Sequence, residues 1–268
     1  MSNSMNPLLV KVKMPGKVYQ LPSAGVFYAP GVLDPSVKDG EVQVHPMSAL
    51  AEMKLRSADL LFSGKVIKEV CQECAPEILK PDALLTQDVD ALFAFLRQIT
   101  YGDIHTVGSV HDCKNAKFNE YKVNISEVIK DPRNKVLAHK DDLYRVALSN
   151  GQIVHGKPST YQEAMQSVHL RSEMRRDEKE TGKVDDNKLT DLTVFEILAV
   201  VKSVEVTIDD KTIDIDNRTY ISEWIRALPR KQLEELLAGI KNANNWGYIF
   251  KTPIKCKDCG EIYEHELE

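Results

Sequence analysis

The feature that most constrains the fold of this chain is a Cys-x-x-Cys-Gly turn near its C-terminus, from Cys256 to Gly260. Two thiolates at this spacing can bind one Zn²⁺ at about 2.3 Å, as in treble-clef and zinc-ribbon knuckles. The glycine after the second cysteine permits a positive φ. Because Zn²⁺ takes four ligands and this turn supplies two, the turn predicts a contact with a second, distant part of the chain.

The stretch around Cys113 is the best candidate for that second part. Residues 113–116 repeat the spacing of residues 256–259, and a strand-like stretch follows each of them. Ala116 stands where the second cysteine would be, so an imidazole must complete the set, with His111 as first choice and His265 as the alternative. The predicted zinc ligands are Cys113, Cys256, Cys259 and His111. A decayed site that holds no metal also fits this pattern.

A further Cys-x-x-Cys pair, Cys71 and Cys74, is interpreted differently. On a helix, both cysteines share one face with Val66, Ile67 and Val70, and no glycine follows Cys74. The pattern is that of a helix end, whereas a knuckle needs a turn. We therefore expect two small buried thiols in a core that are not metal ligands.

Composition narrows the possible functions. A net charge of −5, without a basic stripe, argues against a protein that coats nucleic acid. Five cysteines, an odd number, fit a reduced cytosolic chain better than a secreted disulfide framework. We expect no membrane span and no signal peptide, since no apolar run is long enough for either. The sequence also lacks a P-loop, a dinucleotide glycine fingerprint, HExxH and a serine elbow, so we expect a protein that is not an enzyme.

The periodicity of apolar residues predicts an α+β fold with a mainly helical bulk, short antiparallel strands and hairpins, and a pair of zinc-knuckle-like turns. Five parts follow one another along the chain. They are an extended N-terminal arm at 1–45, a helical region at 46–105, the first knuckle with a β-hairpin at 106–158, a helical region with a small hairpin at 159–250, and the C-terminal knuckle at 251–268.

The N-terminal arm is punctuated by proline and glycine from Pro15 to Pro35, which excludes a helix there. It either lies over its own domain or docks on a neighbouring subunit. The aromatic stretch Val26-Phe27-Tyr28 fits either position, because exposed apolar clusters are unfavourable and usually mark contact sites. If the arm docks on a neighbouring subunit, a chain without residues 1–30 stays folded but no longer assembles.

Several local signals predict where elements begin and end. Ser48 and Asn217 are predicted helix N-caps, and Ser159 with Gln162 has the spacing of a capping box. Asn150-Gly151 predicts a hairpin turn between two strands. The charged stretch 175–188, which is poor in apolar residues, predicts an exposed turn or hinge between helices.

The order of these motifs resembles the baseplate-hub family of contractile-tailed, T-even-type bacteriophages, which includes the hub assembly protein. The likeness runs from about residue 17 to the C-terminus, and the order of the motifs carries it more than any one of them. The matching stretches are Leu21-Pro22-Ser23-Ala24-Gly25-Val26-Phe27-Tyr28, Val42-Gln43-Val44-His45-Pro46-Met47, Leu96-Arg97-Gln98-Ile99-Thr100-Tyr101-Gly102 and the two knuckles. Ala116 departs from the family pattern, in which the first knuckle also has two cysteines.

This resemblance implies a non-enzymatic component of the phage tail baseplate, present in the host cytoplasm during assembly. Its implied partners are other hub, wedge and tail proteins, with no small-molecule substrate, no nucleic acid and no membrane span. Two alternatives stay open at this point. One is a transient tail-assembly chaperone absent from the mature virion, and the other is a zinc-ribbon regulator that binds nucleic acid.

Overall fold

The computed structural model describes residues 15–57, 64–113, 117–130, 144–183 and 185–267. The described helices are α1 (Ala49–Leu55), α2 (Lys65–Cys74), α3 (Thr86–Tyr101), α4 (Ile125–Val128), α5 (Tyr161–Thr181), α6 (Asp186–Val200), α7 (Arg218–Ala227) and α8 (Arg230–Ala243), with a 3₁₀ turn at Pro81–Ala83. The strands are β1 (Lys17–Gln20), β2 (Glu41–Val44), β3 (Ile104–Val110), β4 (Phe118–Asn124), β5 (Arg145–Ala147), β6 (Ile153–Gly156), β7 (Val201–Ile208), β8 (Lys211–Ile215), β9 (Lys251–Lys255) and β10 (Ile262–Glu266). The predicted α+β class is confirmed.

All described strands pair antiparallel. β1–β2, β3–β4 and β9–β10 are separate two-stranded sheets, and the fourth sheet has the order β5-β6-β7-β8. Short hairpins of this kind are only marginally stable alone and need a packing partner. Among the described residues, no helix is long and apolar enough to cross a membrane.

The first hydrophobic core combines the β1–β2 hairpin with α2 and α3. Tyr19 of β1 stacks on Phe95 of α3 with ring centroids 4.4 Å apart, and Leu21, Val42 and Val44 are almost fully buried. The described part of the N-terminal arm thus lies over its own domain. The expectation that the chain stays folded without residues 1–30 stays a prediction that this packing opposes, because the cut removes Tyr19 and Leu21 from the core.

The aromatic stretch of the arm lies between this core and the strands that follow. Phe27 makes an edge contact with Tyr144 at 5.8 Å and packs near Trp246, which is buried. Tyr28 donates a hydrogen bond to Asp88 of α3 at 2.6 Å. This apolar stretch is therefore covered largely from within the chain.

The second core lies between the four-stranded sheet and helices α6, α7 and α8. The alternating apolar residues of β6 and β7, such as Val154 and Val204, face Ile197 of α6, Ile221 of α7 and Leu236 of α8. Each helix is amphipathic or apolar enough to bury a face on the sheet. The pairing of β5 with β6 confirms the predicted hairpin at Asn150-Gly151. The small hairpin predicted within residues 159–250 is the β7–β8 pair.

Local signals at the ends of helices were mostly interpreted correctly. Ser48 and Asn217 are N-caps whose side chains accept backbone N–H groups of α1 and α7. The capping box lies one residue later than predicted, because Thr160 and Glu163 make the reciprocal hydrogen bonds. The stretch 175–188 is not all turn, because α5 continues to Thr181 and ends at Gly182, whose φ is +67°.

Candidate metal centre

The C-terminal knuckle is the turn of the β9–β10 hairpin. Cys256 follows the last residue of β9, its backbone N–H donates to the carbonyl oxygen of Glu261 at 2.8 Å, and Gly260 donates back to the carbonyl oxygen of Cys256 at 3.0 Å. The φ of Gly260 is +79°, as the Cys-x-x-Cys-Gly pattern requires. These bonds close the turn, so that Cys256 and Cys259, three residues apart, lie on the same side of the hairpin.

The other half of the centre is the end of strand β3. His111 directly follows Val110, the last residue of β3, and the backbone N–H of Cys113 donates to the carbonyl oxygen of His111 at 2.9 Å. β3 pairs with β4 over its whole length, from Ile104 opposite Asn124 to Val110 opposite Phe118. The hairpin thus holds His111 at the tip that faces the C-terminal knuckle.

Side-chain hydrogen bonds hold the two hairpins together next to the cysteines. Asn119 of β4 donates to Asp258 at 2.7 Å, and Tyr263 of β10 donates to Ser109 of β3 at 2.9 Å. The Lys257 ammonium donates to the carbonyl oxygen of Glu120 at 2.5 Å. These three bonds join residues far apart in the sequence, so they fix the orientation of one knuckle against the other.

The four predicted ligands lie together at this junction. One ligand atom from each of His111, Cys113, Cys256 and Cys259 lies within 4.8 Å of the other three, and no other such group of His, Cys, Asp or Glu occurs in the described residues. His111 Nδ1 lies 3.4 Å from the sulfur of Cys259. A tetrahedral site with Zn–S bonds of about 2.3 Å separates its ligand atoms by about 3.8 Å. The cluster therefore needs to contract by about 1 Å at most to hold one ion.

The imidazole of His111 is supported on two sides. Its Nε2 lies 3.9 Å from a carboxylate oxygen of Glu261, and its ring stacks on Tyr263 with centroids 4.4 Å apart. A carboxylate at the far nitrogen leaves Nδ1 available toward the cysteines, the arrangement by which proteins orient a metal-binding histidine. Sequence analysis missed both supporting residues, although Glu261 directly follows the knuckle.

The two cysteines of the C-terminal knuckle differ in acidity. The backbone N–H of Cys259 donates toward the sulfur of Cys256 and lowers the pKa of that thiol to about 7. For Cys259, the backbone N–H of Glu261 lowers the pKa, but burial and the neighbouring Cys256 and Cys113 outweigh it, so this pKa is raised. A thiolate at Cys256 near neutral pH is the form in which cysteine binds a metal.

The other Cys-x-x-Cys pair and the alternative histidine ligand lie outside the cluster. Cys71 and Cys74 are about 1% and 0% exposed on the inner face of α2, and burial raises the pKa of both thiols to about 12. The prediction that both are buried in a core is confirmed. His265 lies on β10 opposite Thr252 and outside the cluster. Ala116 lies outside the described residues, so its place in the first knuckle stays a prediction.

A groove of about 1030 Å³ lies apart from the cysteines, between α1, α3 and β3. Most of its lining is apolar, including Leu55, Phe93 and Phe250. Two of its charged groups bond to neighbours: Arg56 donates to Glu52 at 2.5 Å, and Arg97 donates to Nδ1 of His105 at 3.2 Å. Pairing of this kind favours a structural role for these side chains.

Comparison with known protein families gives a match over most of the chain. The family model described as T4 bacteriophage base plate protein matches residues 37–268, which include the second core, most of the first core and all four residues of the cluster. No curated protein and no solved structure matches the chain.

Proposed function

The chain belongs to the T4 bacteriophage base plate protein family, and from this premise we propose that it is a non-enzymatic structural or assembly component of the baseplate hub of a contractile tail. The family match carries the baseplate assignment. The hub assignment rests on the order of the motifs from Leu21 to Gly260, which resembles that of the hub proteins. Its partners are other hub, wedge and tail proteins, and its site of action is the tail baseplate.

The absence of catalysis is part of this proposal. Two features support it within the described residues. The groove is mostly apolar, and Glu52 and Arg56 in its lining form an ion pair with each other. The His/Cys cluster offers four protein ligands, and metal sites closed by four protein ligands are structural, whereas catalytic sites keep a position open for water or substrate.

Zn²⁺ is the metal that fits the cluster. Three thiolates and one imidazole form a Cys₃His set, which favours zinc over Mg²⁺ or Ca²⁺ because those ions take oxygen ligands. His111 and Cys259 are 148 residues apart in the sequence. A zinc ion bound by both hairpins would therefore hold the C-terminus against the middle of the chain, and its contribution is to stability and shape.

The hub role is tested by quantitative mass spectrometry of purified virions of the phage that encodes this chain. We expect the protein at a fixed ratio to other baseplate proteins. Its absence from virions, together with its presence in tail intermediates from infected cells, would contradict a hub component and favour the assembly chaperone. Retention of the protein on nucleic acid in place of tail intermediates would favour the zinc-ribbon regulator.

The metal is tested separately by elemental analysis of the purified, reduced protein. We expect about one Zn²⁺ per chain, as one tetrahedral site requires. Cys113→Ser and Cys259→Ser should each lose zinc. The matched controls are Cys71→Ala, Cys74→Ala and His265→Ala, which should keep it because these residues lie outside the cluster. Zinc loss in the controls, or none in the cluster variants, would contradict the assignment.

A further inference from the structure

Strand β8 is an edge of the four-stranded sheet, and no other described strand pairs with its outer side. β8 follows β7 through the two-residue turn Asp209-Asp210, where both residues have positive φ, +50° and +62°. Turns of this type join strands into a tight two-residue hairpin. Residues 208–214 are all exposed. The hairpin therefore extends beyond the core that covers the start of β7.

The pairing register shows which backbone groups of β8 face outward. In a two-residue hairpin the residues that flank the turn, Ile208 and Lys211, form a hydrogen-bonded pair, and bonded and non-bonded pairs then alternate. Ile213 is thus bonded to β7, whereas the N–H and C=O groups of Thr212 and Asp214 point away from it. An edge strand that presents such groups is a template for pairing with another strand.

At the other end of the sheet, helix α8 packs on the face of β5. Val146 of β5 packs against Gly239 of helix α8 so closely that a Cβ on the glycine would lie 2.3 Å from a Val146 methyl. Tyr144, which precedes β5, donates to Asn244 just beyond the same helix at 2.7 Å. Helix α8 thus supports β5, whereas residues 208–214 at the β8 end of the sheet are all exposed.

One face of the β7–β8 hairpin continues the apolar surface of the second core. Opposite pairs in the register place Val204 with Ile215 and Val206 with Ile213, so their side chains lie on one face. Exposure rises along this face from 3% at Val204 to 47% at Ile213 and 53% at Ile208. A strand added beside β8 would bury apolar residues against this uncovered part.

The other face and the turn are acidic. Glu205 and Asp214 are opposite each other on that face, and Glu205 also lies 3.3 Å from Nε2 of His155. In the hairpin as a whole, carboxylates outnumber ammonium groups: Glu205, Asp209, Asp210, Asp214 and Asp216 against Lys202 and Lys211. A partner strand that complements both faces of β8 would therefore carry apolar side chains on one face and basic side chains on the other.

We propose that β8 is a docking edge for an extended strand of a partner protein in which apolar and basic residues alternate. The partner's backbone bonds to Thr212 and Asp214, its apolar side chains extend the face of Ile213, and its basic side chains meet the acidic face. Backbone hydrogen bonds supply affinity in this mode, and alternate side chains supply specificity. The edge lies in a different sheet from the His/Cys cluster, so the inference stands whether or not zinc binds.

The probe is a blocked octapeptide of alternating valine and lysine, titrated into the full-length, isotope-labelled protein. We expect saturable binding and amide exchange at Thr212 and Asp214 slowed by about tenfold or more, because these N–H groups become paired. The same peptide with glutamate for lysine, and the same peptide N-methylated on its pairing edge, should each bind far more weakly.

Variants of the edge complete the test. Thr212→Pro removes an outward N–H without touching the β7–β8 bonds and should abolish binding. Asp214→Lys should raise Kd about tenfold, whereas Glu223→Lys, the same charge change on exposed helix α7, should change it less than about twofold. Lack of binding by the valine–lysine peptide, or binding unaffected by N-methylation, would overturn the proposal. The N-methylated peptide decides the matter even if Thr212→Pro fails to fold.

Discussion

The two neighbours of the His111 ring suggest how the proposed metal affinity is set at the scale of single residues. Glu261 faces Nε2 at 3.9 Å, and Tyr263 covers one face of the ring. Glu261→Gln keeps the size of the side chain but removes its charge, so the imidazole becomes a weaker ligand. Loss of such a supporting carboxylate typically costs about 10-fold to 100-fold in metal affinity. We expect zinc affinity about tenfold lower at unchanged stoichiometry, measured by competition with a chromophoric chelator.

The control for this prediction is Glu264→Gln. Glu264 lies on the same hairpin but is exposed and alternates with Tyr263, so it faces away from the cluster. Equal affinities of the two variants would mean that Glu261 does not act on His111. A variant that loses the metal altogether would instead point to a ligand or folding role for Glu261.

Asp88 is the second residue whose surroundings give a testable effect. It is fully buried and accepts hydrogen bonds from the backbone N–H and hydroxyl of Ser23 and from Tyr28. Burial outweighs these bonds and raises the pKa of the carboxyl from 3.8 to about 6. Because the folded protein then binds a proton that the unfolded chain has released, stability falls as pH rises from about 4 to about 6.

The predicted effect of Asp88→Asn follows from this fall in stability with rising pH. The variant has no titrating group there, so its stability should not show this fall, and the stability of the wild type relative to the variant should decrease from pH 4 to pH 6. Both hydroxyls donate to one carboxylate oxygen and the Ser23 N–H donates to the other, so in the variant the N–H₂ group faces either the two hydroxyls or that N–H, which should cost about 1–3 kcal/mol at pH 4. Urea unfolding of both proteins at several pH values measures this. An increase with pH in the stability of the wild type relative to the variant would contradict the raised pKa of Asp88.

At the scale of elements, the contact between α8 and β5 depends on a glycine. A Cβ at Gly239 would lie 2.3 Å and 2.7 Å from the two methyl groups of Val146. Gly239→Ala gains about 1 kcal/mol of helix propensity but forces the helix and strand apart, and overpacking of this kind costs about 1–3 kcal/mol. We expect a net loss in the free energy of unfolding.

A second background separates these two effects. With Val146→Ala the methyl groups are gone and only the Cβ of residue 146 remains close, at 3.1 Å, so the loss caused by Gly239→Ala should shrink by about 1 kcal/mol or more. Chemical denaturation of the four proteins in this cycle gives the coupling directly. An equal effect of Gly239→Ala in both backgrounds would show that the contact with the Val146 methyl groups is not what requires glycine.

How far the sequence predicts these elements depends on whether their signals are local. Ser48, Asn217 and Asn150-Gly151 act within a few residues, and all three were interpreted correctly. Strand β3 was missed because its pattern is inverted. Its outward residues Ile104 and Val110 are apolar, whereas the inward His105 and Ser109 are polar. Ser109 accepts a hydrogen bond from Tyr263 of the β9–β10 hairpin, and His105 bonds to Arg97 and to the carbonyl oxygen of Gly102, so this pattern gives no amphipathic strand signal.

At the scale of the whole molecule, the sequence predicts which residues form the His/Cys cluster but not the contacts that orient the two hairpins around it. The number of ligands that zinc requires was enough to predict that His111 and Cys113 meet the knuckle of Cys256 and Cys259. The bonds that orient the two hairpins, such as Asn119 to Asp258, depend on how the hairpins cross, and no spacing in the sequence encodes that. The position of the arm was equally non-local, because Tyr28 finds its partner in Asp88 sixty residues later.

Removal of the metal tests what the proposed zinc holds together. The first and second cores are built from residues outside the cluster, whereas β9–β10 is a two-stranded sheet that meets β3–β4 through few side chains. After chelation we expect amide exchange in β9 and β10 to accelerate about tenfold or more, while α3 and α8 keep their protection, since local opening follows local contacts. Zinc should restore the original rates. Loss of protection throughout the molecule would show that the ion is required for the entire fold, and unchanged exchange would show that the hairpin contacts suffice without it.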